Sequence, residues 1–434
     1  MSERYARGDK HRLRVDLAYG WLGWPLAVLG LPFYFYMPNY WFEHWSVSLT
    51  AIGTALFLTR LVDMVTDPLV GFYSDRWLQR IGRLRQIQLG ALILLVGFWP
   101  LFFPFDAWFQ SEPFGYLVVW SLLAFLGWTL VAVPYQALVS QLTHQKAAKT
   151  RLTSFREGFG LLGVMLALSL PVMLSASPTS PEVFAWLYGL LVLGLAVGVF
   201  WQAWQLSPVV RMTERLRHQV SQPPARIHLS TLWRQHPWVF RIMPSYFLNN
   251  LANAFPATLF MFFVGYALGL EDQAGVLLAV FFVSGLAGLP FWFWVSKKVG
   301  KAQAWAFSMV FSAVSFSGLI WVDTGDYTGY LLICILTGWS LGADLALPSS
   351  LQVDLVQKLE AQSVEAAGTL FGVWGLLTKL AIALSIGIAL PLLDALDLEA
   401  GSPAAVSALW WLYAVVPVGL KGLAVWWLWR KGHR

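Results

Sequence analysis

Three ionisable residues, Arg60, Asp63 and Asp67, interrupt an apolar stretch at i, i+3 and i+7. That spacing puts them on one face of a helix. A charge inside hydrocarbon costs several kcal/mol, so it normally faces a cavity or a partner. Two carboxylates four residues apart can jointly hold a small cation or share a proton. Pro68 follows and removes a backbone donor, freeing a carbonyl one turn earlier. Thr66 and Thr129 add hydroxyl oxygens, the hard ligands that Na⁺ takes. The alternative is a structural cluster in which Arg60 neutralises one Asp and one negative charge is left over.

The apolar stretch is one of many. Of 434 residues 58% are hydrophobic and only 12% charged, half the charge density of a soluble domain. The 25 Trp suit belts at the headgroup level of a bilayer. A helix crossing a membrane needs about 20 mostly apolar residues. Runs of that kind lie at about 17–38, 47–70, 88–105, 114–140, 154–176, 184–206, 240–268, 273–296, 302–322, 328–352, 366–392 and 404–429. Their length excludes barrel strands, which alternate over about ten residues. The expected fold is an all-α membrane protein of twelve spans. A polar segment, 207–239, contains Pro223 and Pro224 and divides it into bundles at 1–206 and 240–434. After the second span come Gly71, Asp75-Arg76 and Gly82-Arg83. After the eighth comes a shortened echo, Ser296-Lys-Lys-Val-Gly300-Lys301, which suggests related halves.

Charge sets the orientation. Of the 29 basic residues, 26 fall in the N-terminal segment, in alternate connections or at the C-terminus; the intervening connections carry only acids. The positive-inside rule makes the basic side cytoplasmic, with both termini there. The expected location is a plasma membrane, a bacterial inner membrane in particular. One cysteine, Cys334, excludes an internal disulfide and a Cys-rich metal site. No metal, no cofactor beyond a coupling ion and no nucleic acid is expected. His144, His218, His228 and His236 lie in connections without metal-ligand or catalytic spacing, which argues against an enzyme. Buried charges without a filter motif argue against a channel. The expected partners are the bilayer and a small solute, handled by a monomer.

The Gly71, Asp75, Arg76 and Arg83 connection resembles the signature gating loop of the major facilitator superfamily. The run Arg60-Leu-Val-Asp63-Met-Val-Thr66-Asp67-Pro68-Leu-Val-Gly71 resembles, more narrowly, the second helix of the glycoside–pentoside–hexuronide:cation symporters (the melibiose permease-like family). The likeness returns at Tyr19-Gly20, Val133-Pro134-Tyr135, Asn250, Asn253 and Thr378-Lys379-Leu380. It implies a cation site for H⁺ or Na⁺ from Asp63, Asp67 and Thr129, with Thr66 in place of an Asn. It also implies Lys379 as a charge partner beside Arg60, and Arg156 as a contributor to a sugar site. Arg156 reads equally as a flanking charge paired with Glu157. Asn249, Asn250, Asn253 and the mid-span Asp344 are further substrate candidates, and the three Asn read equally as helix–helix contacts.

The family's sugar carboxylates fall here at Ala27 and Ala132, and its Trp at Gln136. The coupling residues are kept while the sugar site is less polar. The function expected from the resemblance is cation-coupled symport of a sugar or glycoside. The alternative is a lysophospholipid or other amphipathic solute, because the same branch contains a lysophosphatidylcholine symporter.

Overall fold

The structure is a computed structural model describing residues 9–104, 106–142, 146–217, 234–360, 367–399 and 401–432. The chain is helical almost throughout these residues, as the apolar runs require, because a backbone in lipid must pair its own polar groups. Eleven of the described segments are long and apolar enough to cross a membrane.

The twelfth expected span, 17–38, is broken into α1 (Asp9–Gly20), α2 (Gly23–Phe35) and α3 (Met37–Trp45). Pro25 has no N–H to give the Trp21 carbonyl, which instead accepts from Trp24 at 3.3 Å in a tighter turn. Pro38 interrupts the ladder in the same way near Tyr36. The remaining helices are α4 (Leu49–Ile81), α5 (Arg83–Phe102), α6 (Asp106–Ser111), α7 (Pro113–Leu142), α8 (Lys146–Leu174) and α9 (Pro181–Arg217). After them come α10 (Met243–Phe262), α11 (Ala274–Val299), α12 (Lys301–Ser317), α13 (Tyr327–Glu360), α14 (Ala367–Ala395), α15 (Pro403–Trp410) and α16 (Val416–Gly432). Single π-helical turns extend α10 over Phe263–Ala267 and join α15 to α16 over Trp411–Val415.

The expected connection through Gly71, Asp75 and Arg76 is instead helical. α4 runs on for 33 residues, roughly 50 Å, beyond the roughly 30 Å of a hydrocarbon core. The side chains of 71–81, including these three, lie outside the described residues. The break comes at Gly82, with φ 74° and ψ 153°, a region open only to glycine. Gly300, between α11 and α12, repeats it with φ 89° and ψ 153°. Each glycine is followed by the basic residue that starts the next helix, Arg83 or Lys301. The echo seen in the sequence is therefore a shared backbone hinge. Most of the expected linker, 218–233, lies outside the described residues.

The chain packs as two units. One comprises Met1–Met37 and Leu61–Gln222, the other Pro38–Arg60 and Pro223–Arg434. Packing thus assigns 38–60, which the sequence reading places in the first bundle, to the second unit. There the Leu49 amide donates to Asp394 Oδ1 of α14 at 3.2 Å. In the first unit, α5 and α7 touch backbone to backbone: a Cβ on Gly97 would lie 2.5 Å from the Ala124 nitrogen. In the second, α11 and α13 do the same, where a Cβ on Gly342 would lie 2.5 Å from the Gly285 carbonyl oxygen. Small residues supply such contacts because lipid provides no hydrophobic drive for helices to associate.

Candidate cation-coupling site

In the first unit, α4 and α7 bring together residues more than sixty positions apart. Thr129 Oγ1 stands 3.1 Å from Asp63 Oδ1 and 2.8 Å from Asp67 Oδ1. Asp63 and Thr129 are 4% and 1% exposed, while Asp67 is half-buried. The i, i+4 step sets the two carboxylates one turn apart, and Thr129 meets them from the facing helix. A hydroxyl has one hydrogen, so it serves one of the two oxygens at a time. With both carboxylates ionised, the other contact is an oxygen–oxygen repulsion. A proton on one carboxyl removes it. So does a small cation among the three oxygens.

Thr66 does not join them. Its hydroxyl donates back to the Asp63 carbonyl at 3.3 Å, one turn earlier on its own helix. This separates two threonines that the sequence treats alike. Thr129→Val is expected to weaken cation binding about tenfold, the worth of one hydrogen bond to a charged group. Thr66→Val is expected to leave it within about twofold. The cation concentration giving half-maximal uptake in proteoliposomes separates the two. Equal effects would remove Thr129 from the site.

Arg60 is buried one turn before Asp63 on α4. Lys379 is half-buried on α14, next to Thr378, whose hydroxyl bonds that of Tyr246 at 2.7 Å. Arg156 pairs with Glu157 at 2.5 Å, as its flanking reading requires. Gln136 is exposed on α7, and Ala27 and Ala132 are half-buried. Arg83 is buried at the start of α5.

Both units also carry a polar node on their own first, fourth and sixth spans. In the first, Tyr135 Oη donates to the Tyr19 carbonyl at 2.7 Å, and Gln202 Nε2 reaches the same carbonyl at 3.4 Å. The second is ionic. Asp344 Oδ1 accepts from Asn249 Nδ2 and Trp305 Nε1, both at 2.8 Å, and Oδ2 accepts from Asn253 Nδ2 at 2.9 Å. Lys421 Nζ lies 3.7 Å from Asp344 Oδ2 and donates to Asn249 Oδ1 at 3.0 Å. The sequence marks Asp344 and Asn253 as separate substrate candidates, but here they bond each other. Asn250 donates to its own helix at the Tyr246 carbonyl, 2.8 Å away. Lys421 and Trp305 are the partners that sequence reasoning missed. A lysine deep in the last span was the available signal.

The chain is 24% identical to the chicken sodium-dependent lysophosphatidylcholine symporter 1, over 95% of this chain and 86% of that one. It is 23% identical to the mouse sphingosine-1-phosphate transporter MFSD2B, over 89% and 82%. Among solved structures it resembles a bacterial homologue of the iron transporter ferroportin in an inward-facing state (TM-score 0.68, 15% identity, 98% and 99% coverage). It also resembles the nucleoside transporter NupG in a D323A mutant (TM-score 0.67, 13% identity, 97% and 99% coverage). These structures share the all-α major facilitator fold. The family described as MFS/sugar transport protein matches residues 18–431. The chain belongs to that family, and so is a transporter embedded in the membrane.

Proposed function

We propose that this protein is a cation-coupled symporter of an amphipathic, single-chain lipid such as a lysophospholipid. The observation that carries the coupling is the Thr129 hydroxyl between Asp63 and Asp67. Either H⁺ or Na⁺ relieves the repulsion there, and the names of the relatives favour Na⁺. Arg60, one turn before Asp63 on the same helix, balances the carboxylates when the cation leaves. The lipid reading rests on two supports. Ala27 and Ala132, whose methyl groups cannot accept hydrogen bonds from sugar hydroxyls, stand where the resembling sugar symporters carry carboxylates. The relatives matched over most of their length are named for lysophosphatidylcholine and sphingosine-1-phosphate. A sugar is the second reading, favoured by the family's description.

In the first unit, exposed Gln136 is a polar group left for a substrate headgroup. Asn253 and Asp344 are engaged with each other, and Arg156 with Glu157. The Gly82 break, with Gly71, Asp75, Arg76 and Arg83 around it, serves as the gate during alternating access. The protein acts as a monomer in a bacterial inner membrane, its basic face and both termini cytoplasmic.

The test is uptake into proteoliposomes of labelled lysophosphatidylcholine and a labelled glycoside, under an imposed Na⁺ or H⁺ gradient. Gradient-driven lysolipid uptake with no glycoside uptake is the expected result. Driven uptake of the glycoside alone would replace the lipid reading with the sugar reading.

A further inference from the structure

One aromatic–cation step occurs three times at two helix ends of the second unit. Lys297 Nζ lies 4.3 Å from the centroid of the Phe293 ring, and Lys298 Nζ 3.8 Å from that of Trp294. The Arg430 guanidinium lies 5.1 Å from that of Trp426. Each pair is spaced i, i+4, so the ring sits one turn inside the span and the cation beyond it. The rings face outward: Phe293, Trp294 and Trp426 are 57%, 52% and 51% exposed in a membrane-spanning helix.

The two helix ends belong to one face. Trp292 of α11 and Leu428 of α16 join a single buried cluster with Trp305 and Met309 of α12. The neighbouring Lys301 is already neutralised, with Nζ 2.7 and 2.6 Å from the two oxygens of Asp354. Among the described residues, no carboxylate lies within ion-pair reach of Lys297, Lys298 or Arg430.

We propose that Lys297 and Lys298 together, and Arg430 at the neighbouring helix end, bind phosphates of anionic phospholipids of the surrounding leaflet. The ring beneath each cation covers its apolar side and fixes its depth, an attraction worth roughly 0.5–1 kcal/mol at an exposed site. The N–H donors not over the ring are left for a lipid phosphate. A zwitterionic lipid brings its own cation and gains less. Each basic residue near the surface favours an anionic lipid by about fivefold, so the adjacent Lys297 and Lys298 together give roughly a thirtyfold preference. The proposal does not depend on what the protein transports.

The experiment is native mass spectrometry of the full-length protein titrated with phosphatidylglycerol or phosphatidylcholine. The expected result is selective retention of phosphatidylglycerol, its tighter binding weakened roughly thirtyfold in K297Q/K298Q/R430Q and about fivefold in K298Q alone. K297R/K298R keeps the charges and is expected to bind as the unaltered protein does. Equal retention of the two lipids would overturn the proposal, as would unchanged phosphatidylglycerol binding in K298Q. At matched ionic strength, stronger displacement by inorganic phosphate than by chloride would make this a free-anion site, and the lipid assignment would fail.

Discussion

Lys421→Met alone is expected to cost most of the protein's stability, and Asp344→Asn added to it to restore much of the loss. Lys421 is 2% exposed, and its charge is tolerable only with Asp344 at 3.7 Å and the Asn249 oxygen at 3.0 Å. Removing one member of a buried pair leaves an uncompensated charge, at about 3–5 kcal/mol. Folded domains have only about 5–15 kcal/mol in hand. Asp344 keeps three N–H donors after Lys421 is gone, and these soften the loss without supplying a countercharge. In the double variant no net charge is buried. The Asn amide then faces donors that preferred a carboxylate, so recovery is incomplete, about 2–3 kcal/mol. The thermal unfolding midpoint in detergent reads all three states. If the double variant is no more stable than Lys421→Met, the two side chains do not act as a charge pair.

Asp67→Asn is expected to abolish gradient-driven uptake while leaving the fold intact. The substitution keeps the volume and one oxygen, and the Thr129 hydroxyl 2.8 Å away can still bond that oxygen. What it removes is the negative charge that makes a bound cation favourable there. Losing one charged ligand costs about 3 kcal/mol, or roughly a hundredfold in cation affinity. Half-buried Asp67 can be changed with less structural damage than Asp63, which is 4% exposed. The measurement compares uptake with and without an imposed cation gradient, alongside equilibrium exchange of substrate, which needs no net cation movement. Loss of driven uptake with exchange retained places Asp67 in coupling. Unchanged driven uptake would remove it from the coupling site.

Much of this protein was legible in its sequence because the deciding physics is local. Twenty apolar residues in a row must be helical in lipid, so the spans can be found without knowing what they touch. The sign of the charge in each connection gives the side to expect by the positive-inside rule. The i, i+4 step from Asp63 to Asp67 fixes their common face. Gly82 and Gly300 signal in the sequence what their backbone angles later show, because only glycine enters that region. The first span is the instructive exception: it is apolar and long enough, yet Pro25 and Pro38 break its hydrogen bonds.

Partners across helices were not legible, because they depend on how helices pack. Thr66 and Thr129 look alike as hydroxyls near two carboxylates. The rotation of α4 turns Thr66 back to its own carbonyl, and the approach of α7, with Gly97 of α5 against Ala124, sets where Thr129 arrives. Asp344 looks like a free functional carboxylate until Trp305, Asn249, Asn253 and Lys421 close on it from three other helices, up to 172 positions from one another. The sequence by itself placed Arg60, Asp63, Asp344 and Lys379 inside apolar runs, since hydrophobicity along the chain settles depth. Only the tertiary structure decided which of them neutralise each other, since that depends on distances of 3–4 Å between segments that the chain keeps far apart.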